Sequence, residues 1–328
     1  MKYVTSLALL FPIALAAQQF YGNEPLAHTY SIVAIDEATG EMGAAVQSHW
    51  FSVGSLVIWG EAGVGVVATQ SFVNPALGPQ GLELMKIGLT PREVMAKLLN
   101  ADPGREVRQV AMLNAKGEVA AHTGNQCIEA AGHQLGKGYS VQANMMKNDK
   151  VWPAMAKAFE ASVGQPLAER LVAALEAAQA EGGDIRGKQS AAILVVAPES
   201  SGQSWVDRRV DLRVEDHAEP VKELKRLLQV HRAYDHMNKG DLAVEHGDVE
   251  MAMKEYGAAE AMFPDNLEMK FWHAVSLANI GQIEAALPLF GEVFKGDINW
   301  KTLTSRLIKN QLLKVDEATL ERILQTGK

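Results

Sequence analysis

The sequence predicts an α+β fold: apolar strands gathered into sheets that helices cover, followed by an all-helical C-terminal region. Three observations predict it. Short runs rich in Val, Ile and Ala at residues 30–35, 42–47 and 190–197 have the length and composition of strands. Two stretches that can form helices, 150–161 and 167–181, lie between the early strands and the last ones, and the second carries its apolar residues at helical spacing. From Glu219 onward the pattern is helical. Strands, a helix pair and strands again suit sheets sandwiched between helices, and periodicity alone leaves three-layer and four-layer versions open.

Taken in order, the chain opens with Met1-Lys2 and an apolar run at residues 5–17, TSLALLFPIALAA, that ends in small residues. This is the pattern of a secretory signal peptide cleaved after Ala16 or Ala17. It predicts a periplasmic or secreted protein with no membrane attachment once the signal is gone. The run is shorter than the roughly 20 residues of a bilayer-spanning helix; the alternative is a buried N-terminal helix. Residues 18–28 form a polar connector. Strands at 30–35 and 42–47 flank a turn at 36–41 and make a hairpin. Further strands are expected at 56–59 and 63–70, around Gly60-Glu61-Ala62-Gly63.

A helix at 80–87 follows. Thr90-Pro91-Arg92-Glu93 then offers a capping Thr, a Pro at the first helical position and a Glu three residues after the cap, starting a helix that ends near Leu99. Residues 108–113 and 118–121 read as a hairpin, and 139–142 as another strand. After the helix pair, which stops at Gly182-Gly183, the run SAAILVVA at 190–197 is apolar throughout and predicts a strand covered on both faces, with a partner at 205–210. Residues 220–234 predict a long helix. Beyond it Gly247, Ala252, Tyr256 and Ala259 recur 34 positions later as Gly281, Ala286, Phe290 and Val293, and Gly240 likewise matches Ala274. That period, with small residues where helices cross and aromatic residues filling the crossing, is tetratricopeptide-like. One or two closing helices are expected within 302–324. The expected organisation is a signal peptide at 1–17, a connector at 18–28, an α+β domain at 29–230 and a helical domain at 231–328.

A formal charge of −8, from 31 Lys plus Arg and 39 Asp plus Glu, argues against a nucleic-acid partner, which would need a local basic patch that composition does not reveal. The glycines do not match GxGxxG and no GxxxxGK[ST] occurs, so no nucleotide cofactor is expected. The sole Cys127 has no partner for an internal disulfide and no basic neighbour in sequence, and is expected to be a buried small side chain. His122 and His133 lack a metal-ligand spacing, so no metal is expected.

Several segments together resemble the DUF1028 family: His28-Thr29-Tyr30-Ser31-Ile32-Val33-Ala34 with Thr39-Gly40-Glu41, Ser48-His49-Trp50-Phe51-Ser52-Val53-Gly54, Ala68-Thr69-Gln70-Ser71-Phe72-Val73-Asn74-Pro75, Gly138-Tyr139-Ser140-Val141-Gln142-Ala143-Asn144-Met145, and Gly182-Gly183-Asp184-Ile185-Arg186-Gly187-Lys188-Gln189-Ser190. The resemblance covers residues 29–228. It implies the four-layer α/β/β/α sandwich of the Ntn hydrolases. In that superfamily a Thr, Ser or Cys at the mature N-terminus opens the first strand and attacks an amide, while its own amine, or a water beside it, handles the proton.

Thr29 stands where such a nucleophile belongs, and a free α-amine with a pKa of about 7.7–8.0 serves as base at neutral pH. Signal cleavage leaves residues 18–28 attached, and an acylated nitrogen accepts no proton, so a second cut at His28–Thr29 is required. The other reading of Thr29 is a β-branched residue that starts a strand. Ser48 and His49 close an apolar strand, where neighbouring side chains point to opposite faces and make no simple dyad. Gln70, Ser71 and Asn74 leave the end of another strand and offer amide and hydroxyl groups to a substrate carbonyl, or form a turn before Pro75. Asp184, Arg186, Lys188, Gln189 and Ser190 lie between a helix end and the buried strand. Asp184 and Arg186 suit a bidentate pair that fixes this loop, and Ser190 and Asn144 suit oxyanion-type donors; an ion-paired structural loop is the alternative. The expected function is an exported amide hydrolase acting on a small-molecule or peptide substrate. The alternative is a noncatalytic binding protein whose helical tail engages a protein partner or a second copy.

Overall fold

The computed structural model describes residues 26–327; the expected signal peptide and all of the expected connector before Leu26 lie outside them. The chain divides into two compact units between Lys225 and Arg226.

The first unit is built on two antiparallel sheets. One holds β1 (Leu26–Ala27), β4 (Ile58–Glu61), β5 (Gly65–Phe72), β6 (Arg108–Asn114) and β7 (Val119–Thr123), in the order β1-β5-β6-β7 with β4 also pairing β5. The other holds β2 (Thr29–Ile35), β3 (Met42–Ser48), β8 (Gly132–Gly136), β9 (Tyr139–Ala143), β10 (Ser190–Val196) and β11 (Arg208–Val214), in the order β11-β10-β3-β2-β9-β8.

Period-two alternation decides which side chains meet. Val33, Ala44, Val46, Ala192 and Leu194 from the second sheet pack on Val66, Ala68, Ala111 and Leu113 from the first. The alternate positions face helices. Val67, Val110 and Met112 of the first sheet pack under α1 (Leu77–Lys86) and α2 (Pro91–Ala101), which bury Leu77, Leu82, Met85, Val94, Met95 and Leu99. On the second sheet, α3 (Val151–Ala161) contacts β9 and α4 (Leu167–Ala180) contacts β2 and β3. The approach of α4 needs a glycine: a Cβ on Gly43 would lie 2.7 Å from Leu171 Cδ1. The capping box at Thr90 forms, with Glu93 N donating to Thr90 Oγ1 at 3.3 Å and Thr90 N to Glu93 Oε2 at 2.8 Å. β10 is buried along its whole length.

The structure departs from the sequence expectations in ways that have physical causes. Residues 26–28 are not connector: Leu26 and Ala27 pair with Phe72 and Ser71, and His28 is buried behind them. The strand expected at 56–59 is displaced to β4, because Leu56 and Val57 close a tight turn from Ser52 to Val57 through backbone bonds to Val53. The expected strand at 205–210 begins instead as the short helix α5 (Ser204–Asp207), with Trp205 exposed. Hydrogen bonds from Ser200 and Ser201 to the Asp207 carboxylate bend that segment away from the sheet. β8 escaped notice because its sequence, GHQLG, has no apolar alternation.

The described part of the second unit is all helical: most of α6 (Pro220–Glu245), then α7 (Val249–Met262), α8 (Leu267–Asn279), α9 (Ile283–Gly296), α10 (Asn299–Leu307) and α11 (Glu317–Leu324). α6 runs well past the expected end at Tyr234. Asp248, Asn266 and Asp316 cap α7, α8 and α11 through their side chains. Gly247 and Gly281 take φ values of +74° and +79° just after α6 and α8, the left-handed stop that glycine adopts without strain. Phe271, Phe290, Phe294 and Leu277 fill the core of this unit. No described helix is long and apolar enough to cross a membrane.

Candidate functional site

At the Thr29 end of β2 the layer between the sheets changes from apolar to polar. Thr29 and Ser31 on β2, Gln70 on β5, Gln109 on β6, and Ser140, Gln142 and Asn144 on and after β9 are all fully buried there. Backbone carbonyls can only accept, and this orients every amide in the cluster. Gln109 Nε2 faces Ala143 O at 2.9 Å and Gly132 O at 3.2 Å, so it is the donor and Oε1 the acceptor. Gln109 Oε1 then receives Gln70 Nε2 at 2.6 Å and Asn144 Nδ2 at 2.9 Å. Gln70 Oε1 consequently accepts from Ser31 Oγ at 2.6 Å, and Ser31 Oγ accepts from Gln142 Nε2 at 2.6 Å. Asn144 Oδ1 is left to accept, so His28 Nδ1, 2.8 Å away, carries the proton. Burial pushes the His28 imidazole below its ordinary value; the Asn144 hydrogen bond opposes this, the Arg186 charge adds to it, and Asp184 opposes it weakly.

Thr29 opens β2 directly after this histidine. Its hydroxyl donates to Ala27 O at 2.6 Å, and its carbonyl receives Asn144 N at 3.1 Å and Gln70 Nε2 at 3.2 Å. The preceding carbonyl, His28 O, accepts from Ser48 Oγ at 2.5 Å and from Arg186 Nη2 at 2.8 Å. Arg186 is aimed by Asp184, which meets it through Nε–Oδ1 at 3.0 Å and Nη2–Oδ2 at 2.7 Å. Asp184 is 3% exposed, and its oxygens are taken up by this fork and by the His49 N–H at 3.1 Å. Ser48 and Arg186, the latter aimed by Asp184, therefore hold the carbonyl of the His28–Thr29 peptide, while Asn144 and Gln70 hold the next carbonyl, Thr29 O.

The remaining sequence candidates lie around this cluster or serve the local fold. Ser190 sits across from Ser48 in register, but its hydroxyl donates to Trp50 O and accepts Val53 N at 3.1 Å, holding the 49–53 loop. Gln189 is half-buried and uses its backbone on Ser48 O and His217 N. Lys188 pairs with Glu219. His49 is exposed, with its ring over Gly187. Asn74 builds the turn into α1, accepting Ala76 N at 3.2 Å. Ser71 is buried in a strained left-handed conformation, φ +76°, with its hydroxyl toward Cys127. Burial raises the Cys127 thiol above its ordinary value, so it stays protonated at neutral pH and is a poor nucleophile. Among the described residues no group of three metal-ligating side chains converges.

Sequence reasoning passed over His28, Ser31, Gln109 and Gln142. The signal was present: Ser140, Gln142 and Asn144, like Thr29 and Ser31, are polar at every second position, which puts them on one face of a strand.

The comparisons agree on one family. No curated protein matches the chain. The crystal structure of protein SPO2555 from Silicibacter pomeroyi, itself described by the DUF1028 family model, is similar at 30% identity and a TM-score of 0.55, covering 62% of this chain and 88% of that one. The model of the family of unknown function DUF1028 matches residues 29–224. The match spans more than half of the sequence, and the chain belongs to the DUF1028 family.

Proposed function

We propose that the first unit is the precursor of an Ntn-type amide hydrolase, a four-layer α/β/β/α sandwich in which cleavage of His28–Thr29 frees Thr29 as nucleophile. One observation carries the reading: two donors, the Ser48 hydroxyl and the Arg186 guanidinium, hold the carbonyl oxygen of the bond that must break. When the Thr29 hydroxyl adds to the His28 carbonyl carbon, that oxygen becomes the oxyanion, and donors already in place stabilise it without reorganising. The hydroxyl proton passes to the Thr29 nitrogen as the C–N bond breaks, leaving an ester between His28 and Thr29 Oγ1. Water then hydrolyses the ester to a His28 carboxylate and a Thr29 with free amine and hydroxyl.

On this reading His28 and the residues before it occupy the place of a substrate acyl group, which accounts for the burial of Thr29 in the uncut chain. After the cut, the same donors serve an incoming amide, Asn144 and Gln70 hold Thr29 through its carbonyl, and the α-amine is the base. The family match that begins at Thr29 supports the assignment. The substrate class is an amide of a small molecule or peptide. Residues 1–17 are read as the export signal to the periplasm or beyond.

The tail is read as tetratricopeptide-like, a surface for a protein partner or a second copy. Two contacts 34 residues apart support this: Gly240 lies against the Tyr256 ring, where a Cβ would come within 2.7 Å, and Ala274 shares a core with Phe290.

The test is the rate at which purified full-length chain converts to a form beginning at Thr29, followed by mass. Ser48→Ala and Arg186→Met are each expected to slow conversion by about 100-fold, the usual effect of losing one oxyanion donor. Thr29→Ala abolishes it and Thr29→Ser retains it. Conversion that ignores both donor variants, or never occurs, counts against the reading.

A further inference from the structure

β2 ends at Ile35, about 20 Å from Thr29 at the rise of an extended strand. At that far end lies a cavity of about 710 Å³, bounded by the 36–41 turn, by Lys137 and Tyr139, and by the loop joining α3 to α4. The hydrolase reading makes no use of it. Its size falls within the roughly 300–1,000 Å³ of small-molecule sites.

Arg170, in the first turn of α4, forms part of the wall and is only 8% exposed. Its guanidinium lies 4.0 Å over the Phe159 ring. Yet its polar contacts are poor. Nε has no hydrogen-bond partner, Nη2 makes a long bond of 3.5 Å to Phe159 O, and Nη1 is ion-paired with the Asp36 carboxylate at 3.7 Å, too far for a hydrogen bond. Burial pushes the Arg170 pKa down, and Asp36 only partly offsets this. A buried guanidinium so weakly bonded is costly, and it is the fork that matches a carboxylate. Beside it, α4 starts at Leu167 with Pro166 at the N-cap and no side-chain cap, and both residues line the cavity. Its first N–H groups favour the same sign of ligand charge.

The same lining carries acidic groups besides Asp36. Glu37 is paired with Lys137 at 2.8 Å, and Glu160 accepts from Tyr139 at 2.5 Å. Glu41, also on the wall, makes no side-chain hydrogen bond or ion pair among the described residues. The lining also includes the apolar side chains of Phe159, Val163 and Leu167.

We propose that this cavity binds an apolar amino acid or dipeptide as its zwitterion, with the carboxylate on Arg170 and the N-terminus of α4, and the ammonium toward Glu41. The proposal does not depend on Thr29 being catalytic.

The test is calorimetric titration of the full chain with leucyl-phenylalanine, with its C-terminal amide and with its N-acetyl form. The free dipeptide is expected to bind saturably in the micromolar to low-millimolar range. Amidation removes the carboxylate and weakens binding about ten-fold or more; acetylation and Glu41→Gln each weaken it about three-fold or more. Arg170→Gln is expected to reproduce the amide result, its melting temperature being measured alongside. Should that variant fold poorly, the amidated peptide on the unaltered chain decides. Absence of binding at 10 mM (about the weakest affinity of interest) overturns the proposal. So does an amide that binds as well as the free acid, or indifference to both acetylation and Glu41→Gln.

Discussion

Replacing Gln109 by Leu and, separately, by Glu tests whether the polar layer between the sheets is oriented as its carbonyls require. Gln109 Nε2 puts one hydrogen on Ala143 O and shares the other between Gly132 O and Thr123 Oγ1, and Oε1 accepts from Gln70 and Asn144, all at 2.6–3.2 Å. Leu keeps the volume and removes these bonds. At about 1 kcal/mol net per hydrogen bond, with donors and acceptors left buried, the first unit should lose roughly 4 kcal/mol. For a unit of this size that is a fall of about 8–16 °C in melting temperature. Glu removes less shape but puts a carboxylate against two carbonyl oxygens, so its folded-state pKa lies above the unfolded value of about 4.3. Below the unfolded pKa both states are protonated and the charge exacts nothing. As pH rises through the window up to the folded pKa, the unfolded state releases its proton first and stability falls by about 1.4 kcal/mol per unit. Gln109→Glu should therefore approach Gln109→Leu or better at pH 4–5 and fall below it at pH 7, while Gln109→Leu keeps a constant deficit against the parent. The assay is differential scanning calorimetry across pH 4–8 (the range over which a raised carboxyl titrates). A loss under about 1 kcal/mol for Leu, or a pH-independent Glu variant, refutes the orientation.

Three further outcomes are expected. Asp184→Asn leaves Arg186 without its carboxylate and should cost the first unit about 2–3 kcal/mol by urea unfolding, the pair being buried on the Asp side and partly exposed on the Arg side. Gln47→Met should stabilise the first unit by about 1–2 kcal/mol in the same assay, because both amide atoms of Gln47 are buried without a partner; destabilisation would mean that the amide has a polar role. Gly240→Ala should lower the melting temperature of the helical unit through a loss of about 1–3 kcal/mol, since the new Cβ meets the Tyr256 ring at 2.7 Å, with the first unit melting as before.

The strands with uninterrupted apolar runs, β2, β3 and β10, were legible because composition and length suffice for a segment buried on both faces. The capping box at Thr90 was legible because its chemistry is local. What escaped were features that depend on distant partners. β8 is a polar edge strand that only β9 defines, and at α5 two serines bond the two carboxylate oxygens of Asp207. At the site, Thr29, Ser48, Asn144, Asp184 and Arg186 were found as polar residues at the ends of apolar segments. Gln109 was not, because it is the one uncharged polar residue in its strand before Asn114 and its partners, Gln70, Ala143 and Asn144, come from three other segments of the chain. Ser190 and Asn74 were over-read: polar groups beside a strand end are often consumed by the turn that follows, as both are here.

Intact-mass measurement of the protein recovered from its native host asks whether the peptide bond whose carbonyl Ser48 and Arg186 clamp is the one that opens. The expected mass begins at Thr29 with an unblocked amine. A mature protein that still carries the residues just before Thr29 would contradict it.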